Sequence, residues 1–163
     1  MTRRILISLI FLFSCTAQMT SKKITKNNTE LLYGQINKEQ LYFDYPVWLE
    51  QENVYKPNEE ELKNIQGYDK DINIYIFLGT WCGDSRRNVP KFFKAIKGNS
   101  HFKTILWAVD RKKKLDNDLI EKYNIKRVPT FIFEKDGVEL GRIIENPKKT
   151  IEADIQDILL LKK

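Results

Sequence analysis

Apolar and polar positions follow different periods in different parts of this chain, and the periods predict its elements. Ile72–Leu78 (INIYIFL) and Thr104–Val109 (TILWAV) are short runs rich in β-branched and aromatic residues, as expected for strands covered on both faces. Between them, Val89, Phe92, Phe93 and Ile96 recur at helical spacing and predict one amphipathic helix, with Gly98 placed to end it. Leu115–Tyr123 predicts a second, shorter helix. Thr130–Glu134 and Val138–Ile143 flank Lys135-Asp136-Gly137, whose Asp-Gly pair signals a hairpin. Asn146-Pro147 suits a helix start, with Ile151, Ile155, Ile158 and Leu159 as the apolar stripe and Lys162 and Lys163 at its negative end. The order β-α-β-α-β-β-α predicts an α/β fold: a mixed sheet with helices on both faces.

Upstream of Asp71 the pattern is weaker. Asn58–Gln66 predicts a short helix, and the aromatics Tyr33, Tyr42, Phe43, Tyr45, Trp48 and Tyr55 need somewhere to pack. Residues 30–68 are therefore read as an N-terminal extension packing on a domain that spans 69–163. Residues 18–29, polar and lysine-rich, read as a flexible tether. Residues 1–17 read as an export signal: Arg3 and Arg4 precede a charge-free, mostly apolar run from Ile5 to Phe13, then small residues follow. That run falls short of the roughly 20 apolar residues of a spanning helix. Two cleavage readings stay open. Leu12-Phe13-Ser14-Cys15 resembles a bacterial lipoprotein box, which would make Cys15 the lipidated first residue and anchor the protein to a membrane. Cleavage after Ala17 would instead release a soluble protein. Either reading places the protein in the cell envelope or periplasm, where thiols are weakly buffered.

Composition narrows the function classes. The chain is 42% hydrophobic and 12% aromatic, enough for a real core. Its charge of +6 falls to +4 once Arg3 and Arg4 leave with the signal, and the basic residues are interspersed with acidic ones, so no nucleic-acid partner is expected. No Cys/His or carboxylate cluster suggests a metal. Of two cysteines, processing removes or lipidates Cys15, which leaves Cys82 as the reactive thiol and forbids an internal disulfide framework.

The residues around Cys82 resemble the thioredoxin superfamily. Trp81-Cys82-Gly83-Asp84-Ser85 follows the first strong strand where that family has its Trp-Cys-Gly-Pro-Cys turn. Pro90 lies where the family kinks the helix, Asp110 ends the next strand, Val128-Pro129-Thr130 matches the cis-proline loop, and Lys135-Asp136-Gly137 matches the hairpin. The resemblance covers about Asp71 to Leu161. It departs in Ser85, which replaces the second cysteine, in Ile76, which replaces a buried acid, and in Asp84, which replaces a proline.

The implied chemistry is thiol–disulfide exchange through one sulfur. Cys82 at a helix N-terminus, near Arg86 and Arg87, is expected to ionise more readily than a free thiol, with Asp84 opposing and Ser85 available to donate a hydrogen bond to sulfur. Ser85 cannot resolve a mixed disulfide, so an external thiol must, with glutathione a candidate co-substrate and no other cofactor expected. The resemblance gives Val128 and Pro129 to substrate docking, and Trp81 to an apolar platform. Arg86, Arg87, Arg111–Lys114, Lys126 and Arg127 form a candidate basic collar for acidic disulfides. His101, beyond the first helix, is expected at the opposite end of the sheet. Two alternatives stand beside this reading: a non-catalytic thioredoxin-fold binding module, and a glutathione or iron–sulfur protein like the monothiol glutaredoxins, whose Cys-Gly-Phe-Ser resembles Cys82–Ser85.

Overall fold

The computed structural model describes residues 22–26 and 29–160. The expected export signal, Cys15 with it, and the terminal lysines Lys162 and Lys163 lie outside the described residues. Six strands and six helices follow in the order β1 (Lys22–Lys26), β2 (Thr29–Ile36), α1 (Lys38–Asp44), α2 (Pro46–Val54), α3 (Glu59–Gln66), β3 (Ile72–Leu78), α4 (Gly83–Ile96), β4 (Phe102–Ala108), α5 (Leu119–Lys122), β5 (Thr130–Lys135), β6 (Val138–Ile144) and α6 (Ile151–Leu160).

β3 is central because its side chains are buried on both faces, as its apolar run requires. It pairs in parallel with β4 and antiparallel with β5. The full sheet runs β1-β2-β4-β3-β5-β6, with β2 antiparallel to β4 and β6 closing the hairpin with β5. At the hairpin tip Asp136 (φ +51°) and Gly137 (φ +77°) both take left-handed backbone, the geometry a two-residue turn between twisted strands demands. Alternation along β3 feeds two cores. Ile72, Ile74 and Ile76 enter the larger one with Trp48, Ile65, Phe92, Phe131 and Ile155. Phe92 stacks on Phe131 with ring centroids 4.5 Å apart. Phe77 enters the smaller core with Val109, Tyr123, Ile125, Val128 and Ile132, and both Trp81 and Cys82 pack against it. The site therefore sits on the small core and is braced by the large one.

The span 30–68 is built into this architecture. β2 joins the sheet beside β4, while Leu32, Ile36, Leu41, Trp48 and Ile65 are buried in the large core. Trp48 is 1% exposed, and truncating a buried aromatic of this size costs about 3–5 kcal/mol. Asn37 and Asn58 cap α1 and α3 by accepting backbone amides.

Three expectations need correction. Part of the expected tether, Lys22–Lys26, is strand β1, which pairs with β2. Ion pairs from Lys22 to Asp116 (2.7 Å) and from Lys23 to Asp44 (2.8 Å) fasten it. The helix expected over Leu115–Tyr123 shrinks to Leu119–Lys122. Asp116 is drawn away to Tyr33 and Lys22, and Asn117 accepts the Leu119 amide as a local cap. The last helix starts at Ile151 rather than at Asn146-Pro147. Thr150 accepts the Ala153 amide, and Asp154 reaches back to the amides of Lys148 and Lys149, holding that stretch as a loop.

Candidate functional site around Cys82

The turn from β3 into α4 is drawn tight around one glycine. The Cys82 amide donates to the Gly79 carbonyl (2.9 Å), and the Arg86 amide donates to the Cys82 carbonyl (3.0 Å), which makes Cys82 the N-cap of α4. The Gly79 amide donates to Ser85 Oγ at 3.2 Å. The Trp81 indole lies over Gly79, so close that a Cβ added there would stand 2.7 Å from Cε2. Its Nε1 donates to the Val109 carbonyl at 3.0 Å, fixing the ring between β3 and β4. Thr80 Oγ1 accepts the Leu32 amide, tying the turn to β2.

Cys82 is half-buried, and its Sγ lies 3.3 Å from the Val128 carbonyl, to which the thiol donates. The Val128–Pro129 peptide bond is cis. The structure thus brings together four of the residues singled out in the sequence: Trp81, Cys82, Val128 and Pro129. Ser85 is also adjacent but serves differently. It is fully buried, its oxygen closes the turn by accepting from Gly79, and among the described residues no hydrogen bond joins it to the sulfur.

The basic collar is only partly available. Arg87 bonds the Asp84 carboxylate and Asn146 Oδ1 (3.0 Å), while Arg127 pairs with Glu145 at 2.7 Å. Arg86 and Lys126 are exposed. The Arg111 guanidinium stands 5.7 Å from the centroid of the Trp81 ring, a cation–π contact beside the sulfur. Asp110, buried, sets this loop by accepting the amides of Lys112 and Lys114, both at 2.9 Å. Next to the Val128–Pro129 bend, a cleft of about 600 Å³ is lined by Lys126, Arg127, Thr130, Arg142 and Glu145. His101 lies at the far end of β3, with Nδ1 2.8 Å from Asp71. Among the described residues no group of three or more His, Cys, Asp or Glu is placed to hold a metal ion.

Several contributors had no clear signal in the sequence. Gly79 and Thr80 look like ordinary loop residues. Asn88, Glu145 and Asn146 are far apart in the chain, yet Asn88 Nδ2 donates to the Glu145 carbonyl (2.7 Å) and to Asn146 Oδ1 (3.0 Å). The one available hint was an asparagine, a poor helix former, inside an otherwise well-patterned helix.

Comparison with known proteins agrees with this geometry. Thioredoxin H9 of Arabidopsis thaliana is 28% identical over 93 residues, covering 56% of this chain and 64% of that protein. A thioredoxin H-type of Oryza sativa subsp. indica is 32% identical over 84 residues, covering 52% and 66%. The TPR repeat-containing thioredoxin TDX of Arabidopsis thaliana is 33% identical over 82 residues, 50% of this chain but 20% of that protein. The chain thus spans less than two thirds of the length of these relatives. A solved structure of a protein of unknown function from Pseudomonas aeruginosa shares the fold, with a TM-score of 0.53 at 16% identity over 76% of this chain and 83% of that one. The family profile described as thioredoxin matches residues 46–157, more than half the sequence and all of the Cys82 site, and the chain belongs to the thioredoxin family.

Proposed function

We propose that this protein is an exported thiol–disulfide oxidoreductase that works through Cys82 alone. The observation that carries the reading is the placement of a half-exposed sulfur at the N-cap of α4, facing the Val128 carbonyl, with a serine where the family motif has its second thiol. The open amides at the start of α4 favour negative charge there. The cycle has two exchanges. The Cys82 thiolate attacks a substrate disulfide, a new S–S bond forms to Cys82, and the other substrate sulfur leaves as thiolate. An external thiolate, glutathione being one candidate, then attacks the substrate sulfur of that mixed disulfide, and Cys82 leaves as thiolate. Ser85 takes no part in either exchange and holds the turn instead.

Arg111, packed on Trp81, together with Arg86 and Lys126, favours disulfides carried on acidic partners, by attraction across a half-exposed surface. The residue pattern of positions 1–17 supports export to the cell envelope or periplasm, with Cys15 as the lipid anchor. Loss of palmitate labelling in Cys15→Ser tests the anchor. The function is tested by mixing the Cys15→Ser protein with glutathione disulfide. A glutathione adduct should appear on Cys82 and be released by added thiol; no adduct, or one elsewhere, sinks the proposal.

A second reading, a binding module without turnover, draws support from the thiol's engagement with the Val128 carbonyl. It predicts that Cys82→Ser keeps full biological function, whereas the exchange reading predicts loss.

A further inference from the structure

A ring of hydrogen bonds joins the helix that carries the sulfur to the loop that faces it. It begins at Asn88 in α4, which is 2% exposed and whose Nδ2 donates to the Glu145 carbonyl and to Asn146 Oδ1. The same Asn146 oxygen accepts from Arg87 Nη2. Glu145 then reaches both sides of the bend: its amide donates to the Pro129 carbonyl (2.7 Å), and its carboxylate accepts from Arg127 (2.7 Å). Between these two residues, the Val128 carbonyl accepts the Cys82 thiol, and Cys82 caps the helix that carries Asn88.

Two features set Asn88 apart from helix packing. Its neighbour Val89 and nearby Phe92 are fully buried in the large core, where an apolar residue would serve and an amide must find partners. Its shorter bond holds Glu145, a non-glycine residue at φ +58°, in a left-handed conformation that side chains disfavour.

We propose that Asn88 is a positioning residue for the Cys82 site: by pinning the Glu145–Asn146 bend, it keeps the Val128 carbonyl against the sulfur. The proposal rests on Cys82 as the reacting atom. In the resting state that carbonyl accepts the thiol proton. When Cys82 reacts, the proton goes to solvent, the new S–S bond forms and the partner sulfur leaves as thiolate. The Val128 carbonyl is then free to accept an amide N–H from an extended partner peptide. Asn88 holds it in place for both roles.

Infrared spectroscopy of the cysteine S–H stretch, in a Cys15→Ser background, reads this contact directly. In Asn88→Leu, which removes both donors while keeping the side-chain branching, the band should move to higher wavenumber as the thiol loses its acceptor. Asn146→Ala, at an exposed position, loosens the same bend and should move it in the same direction by less. Exchange kinetics supply the second readout. Asn88→Leu should slow reaction with a peptide disulfide about tenfold more than with hydroxyethyl disulfide, which has no amide to pair with Val128. An unmoved band in both variants, or equal slowing with both disulfides, overturns the proposal. Wild-type protein that exchanges with neither disulfide would remove the proposed function, while the band comparison would still decide the role of Asn88.

Discussion

Replacing Gly79 with alanine tests the packing that shapes the site. An added Cβ would stand 2.7 Å from Trp81 Cε2 and 2.8 Å from Nε1, closer than carbon atoms tolerate. The indole has little room to give, because its Nε1 is bonded to the Val109 carbonyl and its body packs against the small core. Overpacking of this kind costs about 1–3 kcal/mol, and losing the indole bond adds about 0.5–1.5 kcal/mol. The lower entropy of an unfolded alanine gives back about 0.4–1 kcal/mol. The net expectation is a destabilisation of about 2 kcal/mol, or a fall in Tm of about 4–8 °C. Urea unfolding followed by tryptophan fluorescence measures it. The decisive control is the same substitution in a Trp81→Leu background, where the new methyl group no longer meets a ring and the cost should largely vanish. Equal cost in both backgrounds would refute the argument, because the penalty would then not come from the indole.

Other consequences are open to direct measurement. Ser85→Ala leaves the buried Gly79 amide without an acceptor and should cost about 1–3 kcal/mol in a chemical unfolding curve. Ser85→Cys should create a redox-active pair with Cys82, seen as an intramolecular disulfide by mass and as insulin reduction; no gain of activity would mean that position 85 does not face the sulfur. Arg111→Glu should slow exchange with an acidic peptide disulfide more than with a basic one, and the difference should shrink as salt is raised. Burial pushes the Glu152 carboxyl above the ordinary carboxylate range, with Tyr55 donating to it in opposition. The folded protein therefore binds that proton more tightly than the unfolded chain. This contribution is fully present below the unfolded value and is lost as pH rises through the raised folded one. Glu152→Gln should flatten that part of a urea-midpoint profile recorded from about pH 4 to 7.

The legible part of the fold was the part whose burial is periodic. β3 carries apolar residues at every position but Asn73 because both its faces are covered, so Ile72–Leu78 could be bounded from sequence without error. The Asp136–Gly137 turn was equally plain, since few residue pairs accept two positive φ angles. The span 30–68 was obscure for the opposite reason. Of its helices only α3, marked by its Asn58 cap, could be read; α1 is short and buries a single anchor, Leu41, in a cluster completed by α2, α4, α6 and the sheet. Local pattern cannot report a helix whose stability comes mainly from a distant neighbour. The same holds for β1, a lysine-rich edge strand fastened by ion pairs to Asp116 and Asp44, both remote in sequence.

The candidate site divides along the same line. Trp81, Cys82, Val128 and Pro129 lie in two short segments whose side-chain types are distinctive, so the sequence could point to them. What converts those segments into one site is a set of contacts among common polar residues. Ser85 serves the Gly79 amide rather than the sulfur, and Arg87 and Arg127 bond Asp84 and Glu145 instead of standing open to substrate. Each of these side chains could have made either partnership, and only the distances in the folded chain decide between them. A short polar side chain has the same appearance in a sequence whether it touches substrate or braces the loop that does. For this family member Ser85 braces the turn and Asn88 and Glu145 brace the bend, while the Cys82 sulfur lies across from the Val128 carbonyl.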